Sequence, residues 1–300
     1  MEERHSKYIS YNGKIILKDH IRVDFDNRSF QYGDGLFETM HSLGNSVQFF
    51  YEHMERLING MKALKMEVPV RFSIDTLGLQ NEISKLLTKN RVFKGGRVRL
   101  TVFRENGGFY SPQSNEINYV IQTENLAQDK YIFNEEGYSI DVFEDIKKPI
   151  NILSGLKTTS SVFYVMAGIF KTENNLDECL ILNERGNVVE GVSSNVFLVK
   201  ENSIYTPPLK SGCLNGIMRG RIIKIAKAAG YTVYDGVPIQ LADVMAADEL
   251  FFTNAISGVK WALGYKQRRY YNKIAKQLNL ILNESVFSVN EIKKAEQENL

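Results

Sequence analysis

The chain has 300 residues, and 37 basic against 35 acidic side chains leave a formal net charge of +2 at pH 7. That balance argues against a nucleic-acid or membrane-surface role, while 43% hydrophobic and 24% charged residues suit an ordinary globular chain of one large or two ordinary domains. Two cysteines, Cys179 and Cys213, and four histidines show no metal-ligand spacing, so no metal site is read and a reducing compartment, the cytoplasm, is expected.

The opening MEERHSKYIS has no apolar h-region, so it does not read as a signal peptide. KYISYNGKIIL alternates around Asn12-Gly13, a hairpin signal, and FETMHSLGNSVQFF repeats it around Gly44-Asn45. FYEHMERLINGMKALKMEV then changes to helical spacing, with Met54, Leu57, Ile58, Met61 and Leu64 on one side and Arg56 on the polar side. SIDTLGLQNEISKLL predicts a second helix, capped by Ser73 or Asp75. GGRVRLTVFRE and INYVIQTENL predict strands. The polar, weakly patterned stretch 128–137 reads as a linker between a domain 1–127 and a domain 138–300.

Beyond it, YSIDVFE predicts a strand, and a helix is predicted from about Thr158 through VFYVMAGIF, an apolar run of roughly ten residues that is too short to span a bilayer. A meander follows through NVVEGVSSNVFLV. NGIMRGRIIKIAKAAG predicts an amphipathic helix, DELFFTNAISGVKWALGY strands with a loop at Asn254, and RRYYNKIAKQLNLILNE a closing helix. The pattern is mixed α/β with much antiparallel sheet, unlike a regular βαβ alternation.

Several residues carry chemical possibilities. Lys157, in SGLKTTSS, is either a solvated lysine or an amine able to capture an aldehyde as a Schiff base. Glu190 stands in an apolar strand and, by alternation, shares a face with Val188 and Val192. It therefore implies either an exposed edge or a cation opposite. Asn215 is placed to cap the helix after it, leaving the Gly216 and Ile217 backbone N–H groups for an anion. Thr253 and Asn254 end an apolar strand, where they serve either an anion or a turn. Arg97 and Arg99 share one strand face as candidates for a substrate carboxylate or as solvated side chains.

In chain order, FQYGDGLFET, HMERL, LKTTSS, VVEGVSSNVFLV, LNGIMRGRII and DELFFTNAISGV resemble the signature segments of the fold-type IV (class IV) aminotransferases dependent on pyridoxal 5'-phosphate. That group holds branched-chain aminotransferases, D-amino-acid aminotransferases and aminodeoxychorismate lyases. The resemblance spans about Tyr8 to about Leu282. It implies a smaller N-terminal α/β domain, a C-terminal domain with a barrel-like sheet, the cofactor between them, and a homodimer. It also implies residue roles. Lys157 would form the Schiff base and move the proton, and Glu190 would pair with the pyridine nitrogen. Arg56, Ile217 and Thr253 would hold the phosphate, with Gly216 and Asn254 lining it, and Phe37, Arg97 and Arg99 would meet the substrate.

Three departures matter. Val162 stands five residues after the lysine, where branched-chain enzymes carry a tyrosine. Asn215 replaces the proline before Gly216. Phe109 replaces an arginine by which the lyases recognise a carboxylate. The expected activity is amino-group transfer between an amino acid, branched-chain or similar, and a 2-oxo acid. The alternatives are 4-amino-4-deoxychorismate lyase and a catalytically silent relative. Glu190 is expected to matter more for turnover than for folding.

Overall fold

A computed structural model describes residues 7–287. Most of the charged N-terminal stretch and the end of the 138–300 segment lie outside them. The chain divides into two compact units, Met1–Lys130 with Lys157–Ser161, and Tyr131–Leu156 with Val162–Leu300.

The first unit contains β1 (Tyr8–Tyr11), β2 (Lys14–Leu17), α1 (Arg28–Tyr32), β3 (Gly35–Leu43), β4 (Ser46–Val47), α2 (Phe50–Ala63), α3 (Val70–Ser73), α4 (Thr76–Lys89), β5 (Gly95–Arg104) and β6 (Ile117–Asn125). Its six-stranded sheet runs β2-β1-β6-β5-β3-β4. Both expected hairpins form. Tyr11 pairs with Lys14 across Asn12-Gly13, whose φ angles are +47° and +86°, and Leu43 pairs with Ser46. Of the two candidate caps, Asp75 is the one used, accepting from the Gly78 N–H at 3.0 Å. One sheet face buries Leu36, Met40, Val98, Leu100 and Val102. Helix α2 lies close against it, because a Cβ at Gly60 would stand 3.0 Å from Leu36 Cδ1. The opposite face carries Phe37, Thr39 and His41 beside Thr101, Arg99 and Arg97 in register.

The second unit contains β7 (Tyr138–Lys148), α5 (Val162–Glu173), β8 (Glu178–Asn183), β9 (Val188–Gly191), β10 (Asn195–Lys200), β11 (Ser203–Tyr205), α6 (Ile217–Ala228), β12 (Thr232–Tyr234), α7 (Leu241–Ala246), β13 (Glu249–Asn254), β14 (Gly258–Tyr265), β15 (Arg268–Arg269) and α8 (Lys273–Phe287). Its sheet runs β12-β11-β10-β13-β14-β7-β8-β9, with β15 on β14. Inward residues of β7, β8, β9, β10, β13 and β14 meet in a single cluster that includes Val142, Leu180, Val188, Val196, Leu250, Phe252 and Ala262. A sheet with six strands facing one cluster must curl, as in a barrel wall. On its other face, α5 packs against Phe143, Cys179, Ile181 and Val189. Both cysteines are free and buried. Burial, then Glu178, pushes the Cys179 thiol up to about 12.

Two element boundaries differ from the sequence reading. Helix α5 begins at Val162 rather than near Thr158. Residues 157–161 instead run along β3, with a bridge between Leu36 and Thr158 and bonds from Phe37 N to Lys157 O at 2.9 Å and from Thr159 N to Gly35 O at 2.9 Å. The closing helix begins at Lys273, because Arg268 and Arg269 are spent on pairing with Tyr265 and Gly264.

Candidate active site

In the first unit, Lys157 is placed by that pairing to β3. Its Nζ lies 4.5 Å from the Phe37 ring centroid, and the Arg99 guanidinium carbon lies 3.9 Å from the same ring. One aromatic face system thus holds an amine and a guanidinium together. Arg99 is half-buried, and burial first, Arg97 second, lower its pKa. Its one side-chain hydrogen bond among the described residues, from Nε to Thr101 Oγ1, is long at 3.4 Å. Arg97 pairs loosely with Glu124 at 3.6 Å in a solvated setting, a contact worth little.

Arg56 is not solvated, although it lies on the polar side of its helix. Its Nε donates to Glu38 Oε1 at 2.8 Å and its Nη2 to Oε2 at 2.5 Å. His53 Nδ1 meets Glu38 Oε2 at 2.6 Å. Burial alone would push the Glu38 carboxyl up, but Arg56 and then His53 hold it at about 2. The bidentate grip fixes the direction of the guanidinium.

In the second unit, Glu190 is 2% exposed although β9 ends the sheet. Simple alternation fails here. Ile181 pairs with Glu190 and Leu182 with Val188, so one step on β8 matches two on β9. This bulge at Val189 turns Glu190 away from Val188, which faces the inner cluster, and toward the α5 side with Val189 and Ile181. The cation opposite Glu190 is Lys148, with Nζ 2.5 Å from Oε1. A second irregularity puts it there: Phe143 pairs with Ile181 but Lys148 with Asn183. Exposed residues 144–147 bulge out, and Lys148 returns to the interior. Tyr164 on α5 donates to Oε1 at 2.8 Å, two residues beyond Val162. The Leu214 N–H donates to Oε2 at 2.7 Å.

The other end of the Leu214 peptide leads to α6. Its carbonyl accepts from Asn195 Nδ2 at 2.8 Å and from the Gly216 N–H at 2.9 Å. Helix α6 starts at Ile217, so the cap position falls on Gly216 rather than Asn215, and no side chain caps it. A Cβ at Gly216 would stand 1.9 Å from Asn195 Oδ1. Asn195 pairs directly with Thr253 across β10 and β13. Cross-strand partners share a face, so the Thr253 hydroxyl looks toward the same helix end. Thr253 Oγ1 and Arg219 Nε, in the first turn of α6, are buried with no hydrogen-bond partner among the described residues. Amide donors at a helix N-terminus, an unsatisfied hydroxyl and a buried guanidinium suit an anion such as a phosphate ester. The Asn254 side chain instead serves its loop, accepting from Ile256 N, Ser257 N and Ser257 Oγ.

The description "Amino-transferase class IV" matches residues 35–260. The chain belongs to the class IV aminotransferase family. It is 25% identical over 258 residues to the D-alanine aminotransferase of Bacillus licheniformis, covering 84% of this chain and 86% of that one. To the aminodeoxychorismate lyase of Bacillus subtilis it is 29% identical over 255 residues, 83% of each. The solved branched-chain aminotransferase of Thermoproteus uzoniensis with norvaline superposes at TM-score 0.84, with 23% identity, 93% of this chain and 94% of that one covered. A second solved branched-chain aminotransferase, complexed with N-(5'-phosphopyridoxyl)-L-glutamate, superposes at 0.83, with 22% identity and 94% of each covered. The fold is the mixed α/β architecture of these enzymes.

Five residues of this family member escaped the sequence reading: Glu38, Lys148, Tyr164, Asn195 and Arg219. Glu38 had a signal of the kind that drew attention to Glu190, a carboxylate alternating with apolar Leu36 and Met40.

Proposed function

We propose that the protein is a pyridoxal-phosphate-dependent aminotransferase that moves an amino group between an amino acid, branched-chain or similar, and a 2-oxo acid. The observation that carries this reading is Glu190, a buried carboxylate joined through the two ends of the Leu214 peptide to an uncapped helix N-terminus. Ring nitrogen and phosphate are the two polar ends of the expected cofactor, and this arrangement offers a partner for each.

When bound, pyridoxal phosphate supplies an aldehyde that an amine captures and a ring that accepts an electron pair. The residues of the chain have separable tasks. The Ile217 amide and the Thr253 hydroxyl would hold the phosphate, the role the family resemblance also gives Arg56, and Gly216 would permit close approach. Glu190 would accept a hydrogen bond from the protonated ring nitrogen. Lys157 would capture the aldehyde and, as a free amine, would take the proton from the substrate Cα. Arg99, stacked on Phe37 and without a carboxylate partner among the described residues, binds the substrate carboxylate, with Arg97 behind it. Asn254 acts through the β13–β14 loop it ties down.

The family also contains a lyase relative, but Phe109 stands where the lyases are expected to carry an arginine. The Phe109 ring is exposed, and its carbonyl is held by Arg28 Nη1 at 2.7 Å. We further place the chain as a homodimer. Val162, Val165, Met166 and Ile169 form an exposed apolar stripe on α5, as a subunit contact requires. No described helix is long and apolar enough to cross a membrane, and two buried free thiols fit the reducing cytoplasm.

The test is a single-turnover absorption study with a panel of amino acids. Conversion of the bound cofactor to its amine form, reversed by a 2-oxo acid, supports the proposal. Pyruvate and aminobenzoate released from aminodeoxychorismate without an acceptor would replace it with the lyase. Borohydride should attach the cofactor to Lys157; attachment elsewhere refutes the mechanism.

A further inference from the structure

We propose that Lys148 is a positioning residue for Glu190: its ammonium keeps the buried carboxylate ionised and, with the Tyr164 hydroxyl, occupies Oε1, so that a further donor is directed to Oε2. This rests on the proposed pairing of Glu190 with a ring nitrogen. It adds which oxygen is used and what holds it.

The burial makes a counter-ion necessary. Glu190 is 2% and Lys148 4% exposed, and an unpaired carboxylate at such a depth takes up a proton. Lys148 Nζ at 2.5 Å and Tyr164 Oη at 2.8 Å both address Oε1, whereas among the described residues Oε2 receives only the Leu214 N–H at 2.7 Å. A carboxylate offers about four acceptor positions, so those of Oε1 are taken and a further N–H is directed to Oε2. Burial first, and the Glu190 charge second, raise the Tyr164 pKa far above its ordinary value, so the phenol stays a donor.

The other groups facing the pair do not substitute for Lys148. Burial pushes the Cys213 thiol up to about 11, and it remains neutral. The Arg219 guanidinium, which interacts with Cys213, donates to Pro207 O at 2.9 Å. The β7 chain makes a detour through exposed residues 144–147 to bring Lys148 inside. A lysine needed only for solubility would not require it.

The experiment compares wild type, Lys148→Met, Lys148→Arg, Glu190→Gln and the Lys148→Met/Glu190→Gln double variant. Cofactor-free protein is melted from pH 6 to pH 9. Without Lys148 the folded chain must bury an unpaired carboxylate whenever the unfolded chain ionises it, so stability present at low pH is lost as pH rises. The Lys148→Met deficit should therefore grow with pH, vanish in Lys148→Arg, and stop growing in the double variant. A deficit equal at every pH and unchanged by Glu190→Gln would mean simple packing and overturn the proposal. In loaded protein, the pH at which the visible absorption of bound pyridoxal phosphate changes should rise by about one unit in Lys148→Met, because the ring nitrogen would lose its ionised partner and with it its own positive charge. An unmoved transition overturns the link to the cofactor. Wild type that fails to take up pyridoxal phosphate overturns the functional reading, while the stability cycle still judges the ion pair, so the two failures are distinguishable.

Discussion

Replacing Arg56 with leucine isolates a buried carboxylate whose charge depends on it. Glu38 is 1% exposed and is held at a pKa of about 2 by Arg56 and His53, against 4.5 for an ordinary glutamate. At about 1.36 kcal/mol per pH unit, that displacement represents about 3 kcal/mol, within the ~3–5 kcal/mol found when one partner of a buried pair is removed. In wild type the pKa is depressed, so this stability is complete above pH 4.5 and is lost as pH falls toward 2. In Arg56→Leu, burial is opposed by His53 alone, and the Glu38 pKa moves above its ordinary value. The variant's deficit should therefore grow with pH and exceed about 3 kcal/mol at neutrality. Urea unfolding at pH 4, 5.5 and 7, followed by far-ultraviolet circular dichroism, measures it. Arg56→Leu/Glu38→Gln should remove the growth. A deficit that is constant with pH, or that persists in the double variant, would refute the reasoning.

The remaining expectations concern single side chains. Thr253→Val removes a hydroxyl with no partner among the described residues, so the cofactor-free melting temperature should hold or rise while pyridoxal phosphate affinity, measured by dialysis, falls about tenfold. Gly216→Ala drives a Cβ to 1.9 Å from Asn195 Oδ1; it should cost about 1–3 kcal/mol in a denaturant melt, and Asn195→Ala in the same chain should recover part of it. Burial pushes His41 down to about 4, so its neutral form stabilises the fold and stability falls as pH drops from 6.5 to 4. His41→Leu should flatten that limb by up to about 3 kcal/mol, read from melts across the range. Glu190→Ala should slow turnover at least ~100-fold. Because it strands the Lys148 ammonium, it should also lower the melting temperature, a cost in folding beside the larger one expected in turnover; an unchanged melt would show that Lys148 finds another partner.

The regular parts of the fold were legible. Asn12-Gly13, the α2 spacing and the Asp75 cap act within a few residues, where local preference decides. Residues 157–161 were not, because their strand-like conformation depends on β3, more than 100 residues earlier in the chain, and the Ser/Thr run there resembles a helix start. Lys157, Glu190, Thr253 and Gly216 could be picked out as candidates from their own segments. Lys148 could not, because it reaches the interior only through a bulge, and a bulge inserts one or more residues that no period of two anticipates. The same shift at Val189 re-aimed Glu190. Glu38 was readable in principle, as an apolar-face carboxylate followed by a His and an Arg one helical turn apart.

The two thiols also give the chain a reporter of its own motion. Cys179 and Cys213 are buried, with pKa values pushed up to about 12 and about 11, so an alkylating reagent meets almost no thiolate in the closed protein. Every labelled molecule is one that opened. Cys179 lies within β8, between β7 and β9, and records the parting of that sheet. Cys213 directly precedes the Leu214 peptide and records the loosening of the segment between Glu190 and α6. The ratio of the two labelling rates therefore compares local breathing with wholesale opening, and a molecule that grips both ends of Leu214 should slow the second clock more than the first.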